Sequence, residues 1–116
     1  MSEFDDASVD VTTEQAAGAL ADGSAQVIDV REQDEWDAGH IDGARHLPMG
    51  ELQAQAASID RDTPVLFQCK SGARSTMAAQ AFRAAGYRAF SVDGGLDRWV
   101  AEGRPISPEA GHVAQH

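Results

Sequence analysis

Short apolar runs alternate along this chain with stretches patterned as helices, and that alternation restricts the fold more than any other feature. Gln26-Val27-Ile28-Asp29-Val30 is rich in β-branched residues and reads as a strand. Pro64 to Gln68 reads as a buried strand, Tyr87 to Val92 as another, and His46-Leu47 is extended because a proline follows. Thr12, with Gln15 completing a capping box, opens a helix that runs through Ala16, Ala17 and Leu20 and ends at Asp22-Gly23. Glu32 to Ala38 is a short helix with acids in its first turn and Gly39 as terminator. Glu51 to Ala57 is expected to be helical. Ser75 to Ala85 is an Ala-rich helix with Met77, Ala78, Ala81, Phe82 and Ala85 on its apolar face, closed by Gly86. Asp93-Gly94-Gly95 is a turn, and Leu96 to Ala101 a last helix carrying Trp99. The pattern predicts an α/β domain with a central, mostly parallel sheet of about five short strands and helices on both faces. Ligands in such folds sit beyond the carboxyl ends of the strands.

The chain has 116 residues, enough for one domain with one packed core. Residues 1–8 are expected to be flexible, 9–106 to form the domain, and the polar segment 107–116 to be a loose tail. No apolar stretch approaches the length of a membrane span. The acidic start, Met1-Ser2-Glu3-Phe4-Asp5-Asp6, lacks a signal-peptide pattern, so a cytoplasmic location is expected. A formal charge of −10 argues against nucleic acid or an anionic membrane as partner. The single cysteine excludes an internal disulfide and a Cys-cluster zinc site. His112 and His116 are too few and too far apart for a metal claim, and no metal or organic cofactor is expected.

That cysteine sits in the chain's most chemical segment, Gln68-Cys69-Lys70-Ser71-Gly72-Ala73-Arg74-Ser75. It follows the apolar run Val65-Leu66-Phe67 and precedes a helix, so it reads as strand, tight loop, helix N-terminus. A helix start offers unpaired N–H groups and partial positive charge. Lys70 and Arg74 add two full charges. A thiol placed there is expected to ionise near neutral pH, and the thiolate is the nucleophile. Gly72 lets the loop curl with positive φ, and Ser75 suits an N-cap.

Three segments resemble rhodanese-like sulfurtransferase domains. Ile28-Asp29-Val30-Arg31-Glu32, continued by Glu35-Trp36 and Gly39-His40-Ile41-Asp42-Gly43-Ala44, is similar to their first signature. Cys69 to Ser75 is similar to their active loop, and Asp93-Gly94-Gly95-Leu96, with Trp99, Gly103 and Pro105, to their closing signature. The resemblance spans roughly Thr12 to Ile106. It implies a single-domain rhodanese in which Cys69 takes a sulfane sulfur as a persulfide and passes it on. Lys70 and Arg74 would hold the oxygens of a small anionic donor, thiosulfate first among them. Ser71, Gly72, Ala73 and Ser75 would line the loop with amides and hydroxyls. The acceptor would be cyanide, a small thiol or a carrier protein. Asp29 and Arg31 are expected to support the loop through polar contacts rather than chemistry.

Two other readings compete. Phosphatases and arsenate reductases of the tyrosine-phosphatase type also place Cys and Arg on a strand–loop–helix, but their loop is longer by one residue and usually has His before Cys. Here four residues separate Cys69 from Arg74, and Gln68 precedes the thiol. A non-catalytic binding module is the other alternative. Trp36 and Trp99 read as packing residues, His40 as a carbonyl cap, and His46 has nothing in sequence to pair it with Cys69.

Overall fold

A computed structural model of the chain describes residues 4–114. Five strands form one sheet, all neighbours parallel: β1 Asp10–Val11, β2 Gln26–Asp29, β3 Arg45–His46, β4 Val65–Gln68 and β5 Ala89–Val92, in the order β1-β5-β4-β2-β3. Four α-helices connect or follow them: α1 Thr13–Asp22, α2 Gln33–Ala38, α3 Ala73–Ala84 and α4 Gly95–Ala101. This is the α/β architecture expected from the alternation. β1 went unseen in the sequence, since two residues are too few to show a period.

Alternation along the strands divides the core in two. Ile28, Val30, Val65, Phe67 and Ala89 face α3, with Leu52, Ile59, Ala78, Phe82 and Tyr87. Val11, Val27, Leu66, Phe90 and Val92 face α1 and α4, with Ala16, Ala19, Leu96 and Trp99. A period of two separates these sets, and Cys69 continues the Val65–Phe67 line onto the α3 side.

α1 opens as expected: Gln15 N–H donates to the Thr12 hydroxyl (3.0 Å), and Thr12 N–H donates to Gln15 Oε1 (2.8 Å). Elsewhere the local expectations need correcting. Glu51 to Ala57 is no α-helix; 3-10 turns occupy Met49–Glu51 and Ala56–Ser58. Leu52 is the only fully buried residue in that stretch, so there is no apolar stripe to stabilise a longer helix. α3 begins at Ala73 behind Gly72 rather than behind Ser75. Its inward face is Ser75, Ala78, Ala79 and Phe82, whereas Met77, Ala81 and Ala85 are exposed. Ser75 turns inward to meet polar partners, and the helical repeat then sets every later residue.

The described parts of the terminal segments, 4–8 and 107–114, pack against the domain, and residues 1–3 and 115–116 lie outside the described residues. Phe4 is buried with its ring 5.4 Å from Phe90, and Arg83 donates to the carbonyls of Asp6 (2.9 Å) and Ser8 (2.6 Å). The segment from Ser107, expected to hang loose, pairs with His40 in an antiparallel bridge. His112 N–H donates to Ala38 O (2.9 Å), and Ala114 is buried. His116 lies outside the described residues.

Candidate active site

Three loops converge beyond the carboxyl ends of β2, β4 and β5. The β4 loop carries Cys69, a residue only 1% exposed. Gly72, at φ +115°, reverses the chain so that its own N–H donates to Sγ at 3.1 Å. Ser75 lies on the first turn of α3 with its Oγ 3.4 Å from Sγ. Burial pushes the thiol pKa up, but the Ser75 hydroxyl and the amides of Ser75, Gly72 and Ser71 outweigh it, and the net shift is downward. The helix-start amides expected from the sequence contribute to that lowering, the Ser75 hydroxyl leads it, and neither Lys70 nor Arg74 is among its main causes.

A run of hydroxyls continues inward from Ser75. Thr76 Oγ1 donates to Ser91 Oγ (3.2 Å), and the Ser91 and Ser75 hydroxyl oxygens are in hydrogen-bond contact at 2.7 Å. Ser75 Oγ donates to Gly72 O (3.1 Å) and lies in hydrogen-bond contact with the sulfur. Ser91 stands on β5 and is buried, its only sequence signal being a hydroxyl between Phe90 and Val92. The sequence reading gave neither Ser91 nor Thr76 a role.

Both cations of the loop are occupied. Arg74 Nη1 and Nη2 donate to Glu35 Oε1 (2.7 Å) and Oε2 (2.9 Å). Glu35 on α2 is fully buried and also accepts from Glu32 N–H (2.9 Å). The Arg74 hydrogen bonds hold its carboxyl at about 2 against the cost of burial. The Arg74 pKa is raised, first by Glu35 and in smaller part by Cys69. Lys70 Nζ donates to Asp97 Oδ2 at 3.1 Å on the surface. Glu35 figures in the sequence only as part of the first signature and Asp97 not at all, because partners 39 and 27 positions away leave no local pattern.

Beneath the loop, α4 supports its backbone. Leu96 N–H donates to Cys69 O (2.8 Å), and Asp97 N–H donates to Lys70 O (2.9 Å). Gly95, at φ +57°, lies so close that a Cβ there would sit 2.5 Å from Cys69 O and 2.7 Å from the Lys70 carbonyl. Gln68 also donates its side-chain amide to Cys69 O. Ser71 and Ala73 are exposed at the mouth.

Asp29 ends β2 and Arg31 follows it, the two forming a fully buried pair. Arg31 Nη2 lies 2.8 Å from Asp29 Oδ2 and donates to Gly39 O at 2.8 Å. Neither side chain has a hydrogen bond to Cys69. His46 Nε2 bonds the Arg31 carbonyl (2.8 Å) and His40 Nδ1 the Trp36 carbonyl (2.7 Å), while both rings stack on Trp36. Trp99 packs in the core and donates to Pro105 O (2.8 Å). Among the described residues no cluster of side chains could hold a metal ion, and no helix is long and apolar enough to cross a membrane.

Comparison with known proteins adds to this geometry. The chain is 41% identical over 76 residues to "Uncharacterized protein YqhL" of Bacillus subtilis, covering 65% of this chain and 60% of that protein. It is 34% identical over 85 residues to "Putative sulfurtransferase YtwF" of the same organism, covering 73% of this chain and 82% of the relative. The crystal structure of a rhodanese-related protein from Thermoplasma volcanium superimposes with a TM-score of 0.78 at 27% identity, covering 84% of this chain and 95% of that one. The rhodanese-like domain model matches residues 12–102, and the chain belongs to that family.

Proposed function

We propose that this protein is a sulfurtransferase working through a Cys69 persulfide. The observation that carries the reading is the sulfur cradle: Cys69 Sγ accepts from the Gly72 amide and lies against the Ser75 hydroxyl, at the carboxyl end of a buried parallel strand. A thiol so placed ionises more readily than a free one, and its thiolate attacks soft electrophiles.

The thiolate attacks the outer sulfur of a sulfane donor. With thiosulfate, the donor the sequence favours, the Sγ–S bond forms as the S–S bond of the donor breaks, and sulfite leaves with the electron pair. The loop amides and Ser75 then stabilise the persulfide anion where they had stabilised the thiolate. An acceptor (cyanide in an assay, a thiol or a carrier protein in a cell) attacks the outer sulfur and regenerates Cys69. This two-step scheme calls for no metal or organic cofactor. The relatives' names, "Putative sulfurtransferase YtwF" and "Putative sulfur carrier protein YrkF", support the reading at the level of sulfur chemistry.

Intact mass after incubation with a sulfane-sulfur donor tests the proposal. A gain of one sulfur atom, absent in Cys69→Ala and removed by cyanide, is the expected result. No gain, with turnover of a phosphoester instead, would mean that the loop serves phosphoryl chemistry. No reaction with either substrate would leave a binding module.

A further inference from the structure

Most cations of this chain stand beside an acid, and Arg61 is an exception. Among the described residues, Arg31, Lys70, Arg74, Arg88, Arg98 and Arg104 each meet a carboxylate. Arg61 instead donates from Nη1 to Ala85 O (2.8 Å), with its guanidinium 4.4 Å from the centre of the Tyr87 ring. Asp60 is its neighbour in sequence, but that carboxylate accepts from Asp62 N–H (2.9 Å) and the Thr63 hydroxyl (2.8 Å).

Arg61 lines an open groove of about 510 Å³ together with Met49, Leu52, Met77, Phe82 and Tyr87, and Met77 is 62% exposed. The groove has a direction. α3 starts at the Cys69 loop, and Met77 lies one turn in from Ala73 at the mouth of the site. Met49 N–H donates to Val30 O, just past the carboxyl end of β2. Ala85 and Tyr87 lie at the other end of α3, about 18 Å along its axis, and Arg61 sits on them. Apolar surface therefore runs from the neighbourhood of the reacting sulfur to a cation that has no carboxylate.

We propose that this groove docks a protein that accepts the sulfur of Cys69, through an amphipathic segment whose apolar face fills the groove and whose Asp or Glu meets Arg61. The inference rests on the sulfur-transfer reading and adds the surface on which the acceptor sits. The chain has no second thiol, so its sulfur must leave to another molecule, and Cys69 is so buried that the acceptor has to be aimed. Binding along α3 fixes that approach. The outer face of the segment is expected to be basic, because Glu51, Asp60 and Asp62 flank the groove residues and the chain carries −10. The same charge disfavours a second copy of this chain as the occupant. In the transfer, the acceptor thiol gives its proton to solvent and its thiolate attacks the outer sulfur of the Cys69 persulfide. The new S–S bond forms as the Sγ–S bond breaks, and Cys69 leaves as a thiolate with the electron pair.

A synthetic amphipathic helix tests this, with apolar residues at i, i+3, i+4 and i+7, Lys on the other face, Glu at one end and Cys at the other. Cys69 is loaded with a sulfane-sulfur donor, excess donor is removed, and sulfur gained by the peptide is followed by mass as its concentration is varied. Half-saturation is expected at a concentration about ten-fold lower than for a scrambled peptide of the same composition. Met77→Glu is expected to raise it about ten-fold, with transfer to free cysteine changed less than about two-fold. Arg61→Glu is expected to raise it about two- to five-fold, and exchanging the peptide's Glu for Lys to restore it. Equal half-saturation for the two peptides, or no shift in Met77→Glu, overturns the docking surface, while transfer to cysteine leaves the sulfur-transfer reading standing. A dimer in light scattering that Met77→Glu dissociates also overturns it, since a second copy then covers the groove. Failure of Cys69 to load overturns the sulfur-transfer reading and this inference with it.

Discussion

Lys70 and Arg74 belong to one loop, but their surroundings differ. Arg74 meets a carboxylate that is 1% exposed, through two parallel hydrogen bonds, and it ties α3 to α2. Lys70 meets a carboxylate that is 45% exposed, through one bond. Water and salt screen the second pair and leave the first largely intact. Removing one partner of a buried pair strands the other, whereas an exposed lysine simply rehydrates. Two like charges at similar places in a loop thus have different work: Arg74 holds the architecture of the site, and Lys70 can exchange partners with solvent or substrate. Inside this rim, the Ser75 hydroxyl and the loop amides are the main groups that lower the pKa of the thiol.

Mutations can break that contrast at several levels. The largest effect is expected from Gly95→Ala, which undermines the backbone beneath both cations. A methyl at 2.5 Å from Cys69 O, at positive φ, should cost about 2–5 kcal/mol in urea unfolding and abolish sulfur loading. Wild-type stability in that variant would refute α4 as the support of the loop.

Glu35→Gln should follow, with a loss of about 1.5–3 kcal/mol for the broken charge-assisted bonds. Its pH dependence sharpens the contrast. Glu35 titrates at about 2 in the fold against an ordinary 4.5, so its contribution is present above pH 4.5 and drains away as pH falls from 4.5 toward 2. The parent protein should lose stability across that window, and the variant should lose less.

Within the cradle, Ser75→Ala removes a direct donor to the thiolate, so the midpoint of Cys69 alkylation against pH should rise by about one unit. Ser91→Ala acts only through Ser75, and a rise of about half a unit is expected from the weaker polarisation of that hydroxyl. An unchanged midpoint in both variants would return control of the thiol to the cations. Lys70→Ala should be the mildest for stability, within about 1 kcal/mol of the parent protein in thermal unfolding, and less at high salt.

Much of the fold was legible because its signals are local. The Thr12–Gln15 capping box and the β-branched run at Val27-Ile28 act within a few residues, and the chain obeys them. Where a local signal had to compete with packing, packing won. Ser75 has the chemistry of an N-cap, yet it turns inward to the sulfur and to Ser91, and Gly72 takes the cap position. That single choice rotates α3, exposing Met77 (62%), Ala81 and Ala85. These then line an open groove of about 510 Å³ with Met49, Leu52 and Tyr87. Gln53-Ala54-Gln55 has helix-forming composition but nothing apolar to anchor it, so it remains in turns.

The sequence by itself determined four of the five strands and the four α-helices in their order along the chain, and the position of one thiol at the end of a buried strand. Caps, apolar periodicity and glycine act over a few bonds, and a linear reading captures them. Only the tertiary structure decided what the charges near that thiol do. Glu35, Asp97 and Ser91 come from three other elements, and their partnership with Arg74, Lys70 and Ser75 exists only once the parallel sheet brings the carboxyl ends of its strands together. Electrostatic effect depends on distance and burial in space, and neither is written in the spacing along the chain.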